Sequence, residues 1–183
     1  LAPLAEAIFA QDGQSPELLA KDYVNEEAGV STVEDALAGA NDIIAEDLSD
    51  RADIRKALRE MIMRRGSLVC KAADTEADSV YTLYYDFSQP IPRLQNHQIL
   101  AINRGEKEEM LKVSIIVPEE KILSELEHKY AADLSDEAQA LVKAAVKDAY
   151  KRLIAPAIER ELRNTLSEKG EEQAIKVFKE NLR

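Results

Sequence analysis

Apolar residues recur at helical spacing along the first third of the chain. Leu4, Ala5, Ile8 and Phe9 mark an amphipathic helix that ends near Gly13. Ser15-Pro16-Glu17 opens a second helix, with Ser15 as its cap, Pro16 in its first turn, and Leu18, Leu19 and Tyr23 behind. Ser31-Thr32-Val33-Glu34 forms a capping box, and Val33, Leu37, Ala40 and Ile44 make the stripe that follows. Ser49 or Asp50 caps a fourth helix, carried by Ile54, Leu58, Met61 and Ile62 and closed at Gly66.

From Ser67 the period shortens. Ser67 to Ala72 reads as a strand holding Leu68 and Cys70, and ADTEADS as a polar turn. Val80 to Phe87 fits both periods: Val80, Leu83, Tyr84 and Phe87 suit a helix, Tyr81, Leu83 and Tyr85 a strand. The helix is preferred. Ser88-Gln89-Pro90-Ile91-Pro92 is extended, because each Pro biases its predecessor away from the helical region.

Residues 94–117 join a helix to a strand. Asn96 is the expected N-cap, Ile99, Leu100 and Ile102 are the apolar positions, and Gly105 is expected to stop the helix in a left-handed C-cap. Leu111, Val113, Ile115 and Val117 then fall on one side of a strand, opposite Lys112 and Ser114, and Pro118 closes it. Glu119 to Tyr130 is a further helix, through Ile122, Leu123 and Leu126. Ser135 or Asp136 starts the longest periodic run, Leu141, Val142, Ala145, Ala149, Leu153, Ile158, Leu162 and Leu166, resumed after Gly170 by Ile175, Phe178 and Leu182. Unbroken, those 48 residues would span roughly 70 Å as a connecting rod. Pro156 cannot donate to the carbonyl four residues back, so a kink near Ile154, or two helices, is expected.

The pattern predicts a mainly α chain: a multi-helix lobe, a small β-strand insertion at about residues 67–117, and a long C-terminal helix kinked near Pro156. It divides into an acidic helical lobe (1–66), a small mixed α/β joint (67–130) and a connecting helix or helix pair (131–183). Six Gly and six Pro in 183 residues favour long elements and short loops over a strand-rich sandwich.

Charge is unevenly spread. Residues 1–50 hold 12 Asp/Glu and one Lys, which accounts for the whole net charge of -11; the rest balances at 23 acidic against 23 basic. An acidic first quarter repels a phosphate backbone, so direct nucleic-acid contact would have to come from later residues. A solvated face is favoured over an acidic dock for a basic partner. Cys70 is the single cysteine, which excludes an intramolecular disulfide and a multi-cysteine zinc site and points to the cytoplasm. No run approaches the ~20 apolar residues of a membrane helix. Leu1 at the first position and a helical pattern still running at Arg183 suggest a piece of a longer protein.

Catalytic, metal and cofactor signals are weak. His97 and His128 are far apart, Cys70 has no base nearby in sequence, and pairs such as Glu26-Glu27 and Glu119-Glu120 mark solvent faces. No Gly-rich phosphate loop occurs, since Gly66 and Gly105 stand alone as C-caps. Lys143, Lys147 and Lys151 share a helix face that Arg152, Arg160 and Arg163 extend and Glu159, Glu161 and Glu168 dilute; a salt-bridged exposed helix is favoured over phosphate contact. The joint offers Arg93, Asn96, His97, Asn103, Arg104 and Lys107, for which a structural role is favoured, Arg104 bonding the last helix carbonyls. These remain the best polar candidates for a contact surface.

The wording of the joint is more specific than its periodicity. HQILAINRGEKEEMLKVSI resembles a segment of the bacterial Tex family of transcription accessory proteins, with Asn96 and Gln98 where that family's motif tends to have Ser and Arg. The likeness extends from LAPLAEAIFAQ through ALAGANDIIAED, GSLVCKA and YYDFSQPIPRLQNHQ to AYKRLIAPAIERELRNTLSEKGEEQAIKVFKENLR. Ala73 to Ser79 departs from it, lacking the basic loop the family tends to have there. The resemblance implies the central, mostly helical region of a multidomain nucleic-acid-binding scaffold, flanked by a helix-turn-helix-like portion and by YqgF, helix-hairpin-helix and OB-fold RNA-binding domains. Its partners would be those flanking domains, nucleic acid through the parent protein, and the transcription machinery. The expected role is non-enzymatic, and the alternative is a nucleic-acid-binding module using the basic stripe. A hydrolytic activity would require acidic and basic groups converging in a cleft.

Overall fold

The computed structural model describes residues 1–10 and 15–182, so the expected stop at Gly13 lies outside the described residues. The chain forms two compact units, Leu1–Lys56 with Glu119–Pro156, and Ala57–Pro118 with Ala157–Arg183. It is mainly helical, with one small antiparallel sheet and a long C-terminal helix.

The first unit contains helices α1 (Ala2–Phe9), α2 (Pro16–Lys21) and α3 (Val33–Ser49), then α6 (Glu119–Ala131) and α7 (Asp136–Asp148). Ser15 is the N-cap of α2 as expected, but its hydroxyl donates to Glu137 of α7 at 2.6 Å instead of capping. The cap of α3 is Thr32, whose Oγ1 accepts from the Asp35 N–H at 3.1 Å, one residue later than the expected Ser31 and without the reciprocal bond of a capping box. Ala40 and Ile44 are buried as expected, together with Ala36, Ala45 and Leu48, while Val33 and Leu37 are half-buried. Small residues dominate this face and that of α7 (Ala138, Val142, Ala145, Val146), so the two helices pack closely. A gap of about 10 Å³ among Leu48, Ile54, Leu126, Val146 and Ile154 is the size of one water at most.

Helix α4 (Ala52–Arg65) bridges the units in sequence. Neither Ser49 nor Asp50 caps it: Ser49 ends α3 with its hydroxyl on the Glu46 carbonyl, and Asp50 is the C-cap of α3. The proline effect in the C-terminal helix is also specific. Between α7 and α8 (Ala155–Asn181) lies a π-helical segment, Ala149–Ile154, in which the Ala155 N–H bonds the Tyr150 carbonyl five residues back. Pro156 offers no donor to the Arg152 carbonyl and its ring crowds it, so the backbone widens one turn early instead of breaking. The wide turn buries Ala149, Tyr150 and Ile154.

The second unit is built on the sheet β2-β1-β3, with β1 (Ser67–Ala72) in the centre, β2 (Asp86–Pro90) and β3 (Leu111–Ile116) antiparallel on either side. Cys70 lies between Phe87 and Val113. Leu68, Cys70 and Ile102 form its buried centre, packed by Tyr84, Phe87, Leu94, Val113 and Ile115. The helix preferred for Val80 to Phe87 is not formed: only Thr82–Tyr84 makes a single 3-10 turn before β2 begins. Pairing with β1 overrides the local pattern, and Phe87 turns inward against the edge of Tyr84 at 5.2 Å. Pro90 is tolerated because β2 is an edge strand, and a 3-10 turn, Ile91–Arg93, replaces the extended path expected beyond it.

Helix α5 (Asn96–Lys107) starts one residue earlier than expected. Gln95 is its N-cap, its N–H bonded to the Gln98 Oε1 at 3.0 Å, and Asn96 is already helical. Gly105 does not end it. The helix runs on to Lys107, and the left-handed residue that turns the chain toward β3 is Glu109, at φ 61. Gly105 is needed for proximity: a Cβ there would meet the Leu111 side chain at 2.5 Å. Gly66 likewise lies outside the left-handed region and is needed because a Cβ would lie 2.6 Å from the Ile62 carbonyl. Gly170 does not interrupt α8; it is buried, with Leu100 and Ile99 at ordinary contact distance of its Cβ direction.

The two helical glycines therefore separate in a denaturant titration. Gly105→Ala is expected to destabilise by about 1–3 kcal/mol through overpacking. Gly170→Ala is expected to stabilise by about 0.5–1 kcal/mol, since helix propensity improves and the space accepts a methyl group.

Candidate interaction surface

Of the candidate residues in the joint, the structure brings Asn103 together with Arg163. Both are half-buried, on facing helices α5 and α8 of the second unit. Arg163 donates to the Asn103 Oδ1 at 3.0 Å and, bidentately, to Glu106 at 3.2 and 2.8 Å. The Asn103 amide donates to the Ser167 hydroxyl at 2.7 Å, which donates to the Arg163 carbonyl at 2.8 Å. Every group in this chain has a partner, which is the arrangement of a fastening between helices. Glu106 and Ser167 were not singled out from sequence; their signal is the polar spacing Asn103/Glu106 on one helix and Arg163/Ser167 on the other.

Glu159, expected only to dilute the basic stripe, accepts the Ile115 N–H at 3.1 Å. It thereby occupies an outward-facing donor of the edge strand β3. Glu161 pairs with Arg59 at 2.9 Å. Arg93, His97, Arg104, Lys107 and Arg160 are exposed, and Asn96 is half-buried. His97 and Asn96 line a groove of about 590 Å³ with Leu100, Ala174, Val177 and Phe178.

In the first unit, Lys143 and Lys147 are exposed on α7. Lys151 pairs with Glu119 at 3.2 Å, and Arg152 grips Asp148 with two hydrogen bonds of 3.1 and 3.0 Å. The Arg152 bond holds the Asp148 carboxyl below its usual range, and Asp148, with Asp42 and Glu46 nearby, raises the guanidinium. The π segment between Lys147 and Lys151 also breaks the straight four-residue stripe that ideal helical spacing implies. The unit holding Lys143, Lys147, Lys151 and Arg152 has 21 acidic and 10 basic residues, and so carries the whole -11; the other has 14 of each.

Cys70 is fully buried, and burial pushes its thiol up to about 11. Among the described residues no group of His, Cys, Asp and Glu is arranged to hold a metal ion, and no helix is long and apolar enough to cross a membrane.

Two measurements check this site. Cys70 should react with a thiol reagent at pH 8 only on unfolding, because the native thiol is both buried and neutral. Glu159→Ala should cost about 1–2 kcal/mol in stability by orphaning the Ile115 N–H, whereas the exposed Glu168→Ala should change it by less than about 0.5 kcal/mol.

The comparisons with known proteins agree with the resemblance in the joint. The Tex central region-like family matches residues 11–178. The chain is 44% identical over its whole length to the uncharacterized protein YdcI of Bacillus subtilis, covering 26% of that protein, and 31% identical to protein tex of Bordetella pertussis, covering 25%. It is 27% identical to the human S1 RNA-binding domain-containing protein 1, with 98% of this chain covering 19% of that protein. The chain thus spans about a quarter of the length of the two bacterial relatives. With a family match across most of its residues, this chain belongs to the Tex central region-like family.

Proposed function

We propose that this chain is a non-enzymatic scaffold region of a Tex-type transcription accessory protein, one that positions flanking nucleic-acid-binding domains while nucleic-acid affinity lies mostly in those domains. The observation that carries this reading is where the helix cations go. Lys151, Arg152 and Arg163 are each engaged with a carboxylate of the same unit, and Lys143 and Lys147 belong to the unit that holds the entire negative excess. Phosphate contact by these groups would break existing pairs and work against a repulsive field.

Membership in the Tex family and the name of a relative from Neisseria gonorrhoeae, transcriptional accessory protein Tex, support the transcription theme. The name of the human relative, an S1 RNA-binding domain-containing protein, supports an RNA-binding module elsewhere in such proteins. The hydrogen bonds that tie Arg163 and Ser167 of α8 to Asn103 and Glu106 of α5 support a positioning role over a ligand-binding one. A cytoplasmic site of action fits the same theme.

The test is binding of the 183-residue chain to single-stranded RNA and to duplex DNA, titrated from low to physiological salt. The scaffold reading predicts no saturable binding even at low salt. Affinity that falls steeply with salt, and is lost in a Lys143→Glu, Lys147→Glu, Lys151→Glu variant, would overturn it in favour of a direct nucleic-acid-binding module.

A further inference from the structure

The last turns of α8 carry an apolar stripe that nothing in the described second unit covers. Ile175, Phe178 and Leu182 are 56%, 65% and 72% exposed, and they follow Glu171 at spacings of four, three and four residues. Ile158, Leu162 and Leu166, buried earlier on the helix, lie on the opposite face, so at 100° per residue the stripe points away from the side of α8 that packs within the unit. The groove lined by His97, Leu100, Val177 and Phe178 adjoins this stripe and widens the apolar surface.

The spacing assigns Ile175 and Leu182 to one core position of a heptad and Glu171 and Phe178 to the other. Residues immediately after the second position are then Glu172 and Lys179, one of each sign. In an antiparallel helix pair, positions of this kind face their own counterparts across the two-fold axis. Glu172 of one chain meets Lys179 of the other, twice, while Ile175 and Phe178 interleave at the centre and the opposite flank pairs Ala174 with Asn181. A parallel pair would instead set Lys179 against Ala174 and Glu172 against Ser167, bringing no opposite charges together.

The geometry points to a second copy of this chain as the occupant, docked antiparallel through the tip of α8. The flanking charges are self-complementary, as a closed two-fold contact requires. Two heptads and one groove make a small contact, so the association is weak and concentration-dependent. This inference rests on the exposed end of α8 and is independent of where the helix cations go.

Sedimentation equilibrium of the intact 183-residue chain tests it. The mass is expected to rise from 20.4 kDa toward twice that value as concentration increases, and Phe178→Asp is expected to hold it at the single-chain value with unchanged helicity. Glu172→Lys and Lys179→Glu each replace two attractions by two repulsions and should weaken self-association about tenfold or more. Mixed together, those two variants become complementary again and should associate. A chain that stays at 20.4 kDa throughout overturns the inference and leaves the stripe to a different partner. Self-association that ignores both charge reversals, or variants that fail to associate when mixed, overturns the antiparallel α8 contact.

Discussion

Arg163 reaching from α8 to Glu106 and Asn103 of α5 is the contact on which the second unit depends. A guanidinium held by two acceptors in a fork cannot slide along the helix, so it fixes which face of α8 meets the rest of the unit. With that face set, Glu159, one turn earlier, falls on the β3 edge, and Gly170, two turns later, falls where Ile99 and Leu100 come close. Ser167 closes the same face by linking Asn103 to the Arg163 carbonyl. Apolar burial by Ile158, Leu162 and Leu166 supplies the larger stabilisation, and the polar stripe beside them chooses the register.

Charge is partitioned along the same division as packing. The first unit carries the full excess of negative charge and uses small apolar faces on α3 and α7 to bring helices close, while its two best-placed cations are tied to Glu119 and Asp148. The second unit is neutral, and Asn103, Glu106, Arg163 and Ser167 in it are bonded to one another. The two bacterial relatives are each about four times longer than this chain.

Patterns local in cause were the more legible, although the caps of α3 and α5 fall on Thr32 and Gln95, each one residue from the expected position; those decided by packing were less so. Ser135 caps α7, Ser67–Ala72 is a strand and Leu111 to Ile116 alternates as expected, because each depends on neighbours within a few residues. Phe87 was misassigned because its backbone pairs with β1 opposite Cys70, while its ring still meets Tyr84. Gly105 resembles a C-cap by position, yet its need comes from Leu111 approaching in space. The site followed the same rule. Arg163 was visible as a charge, but its role required knowing that Asn103 and Glu106 lie opposite. Ile175, Phe178 and Leu182 had the periodicity of a core stripe and are nonetheless exposed, since periodicity reports a face and not what covers it.

The most direct check on this account is the coupling free energy between Arg163 and Glu106, from a double-mutant cycle of Arg163→Ala and Glu106→Ala in chemical denaturation. If the helix cations are architectural, the two side chains should couple by about 1 kcal/mol or more, above the value for an ordinary exposed pair. Coupling indistinguishable from zero, with each single variant as stable as the parent chain, would contradict the account and return Arg163 to the pool of cations available to a nucleic acid.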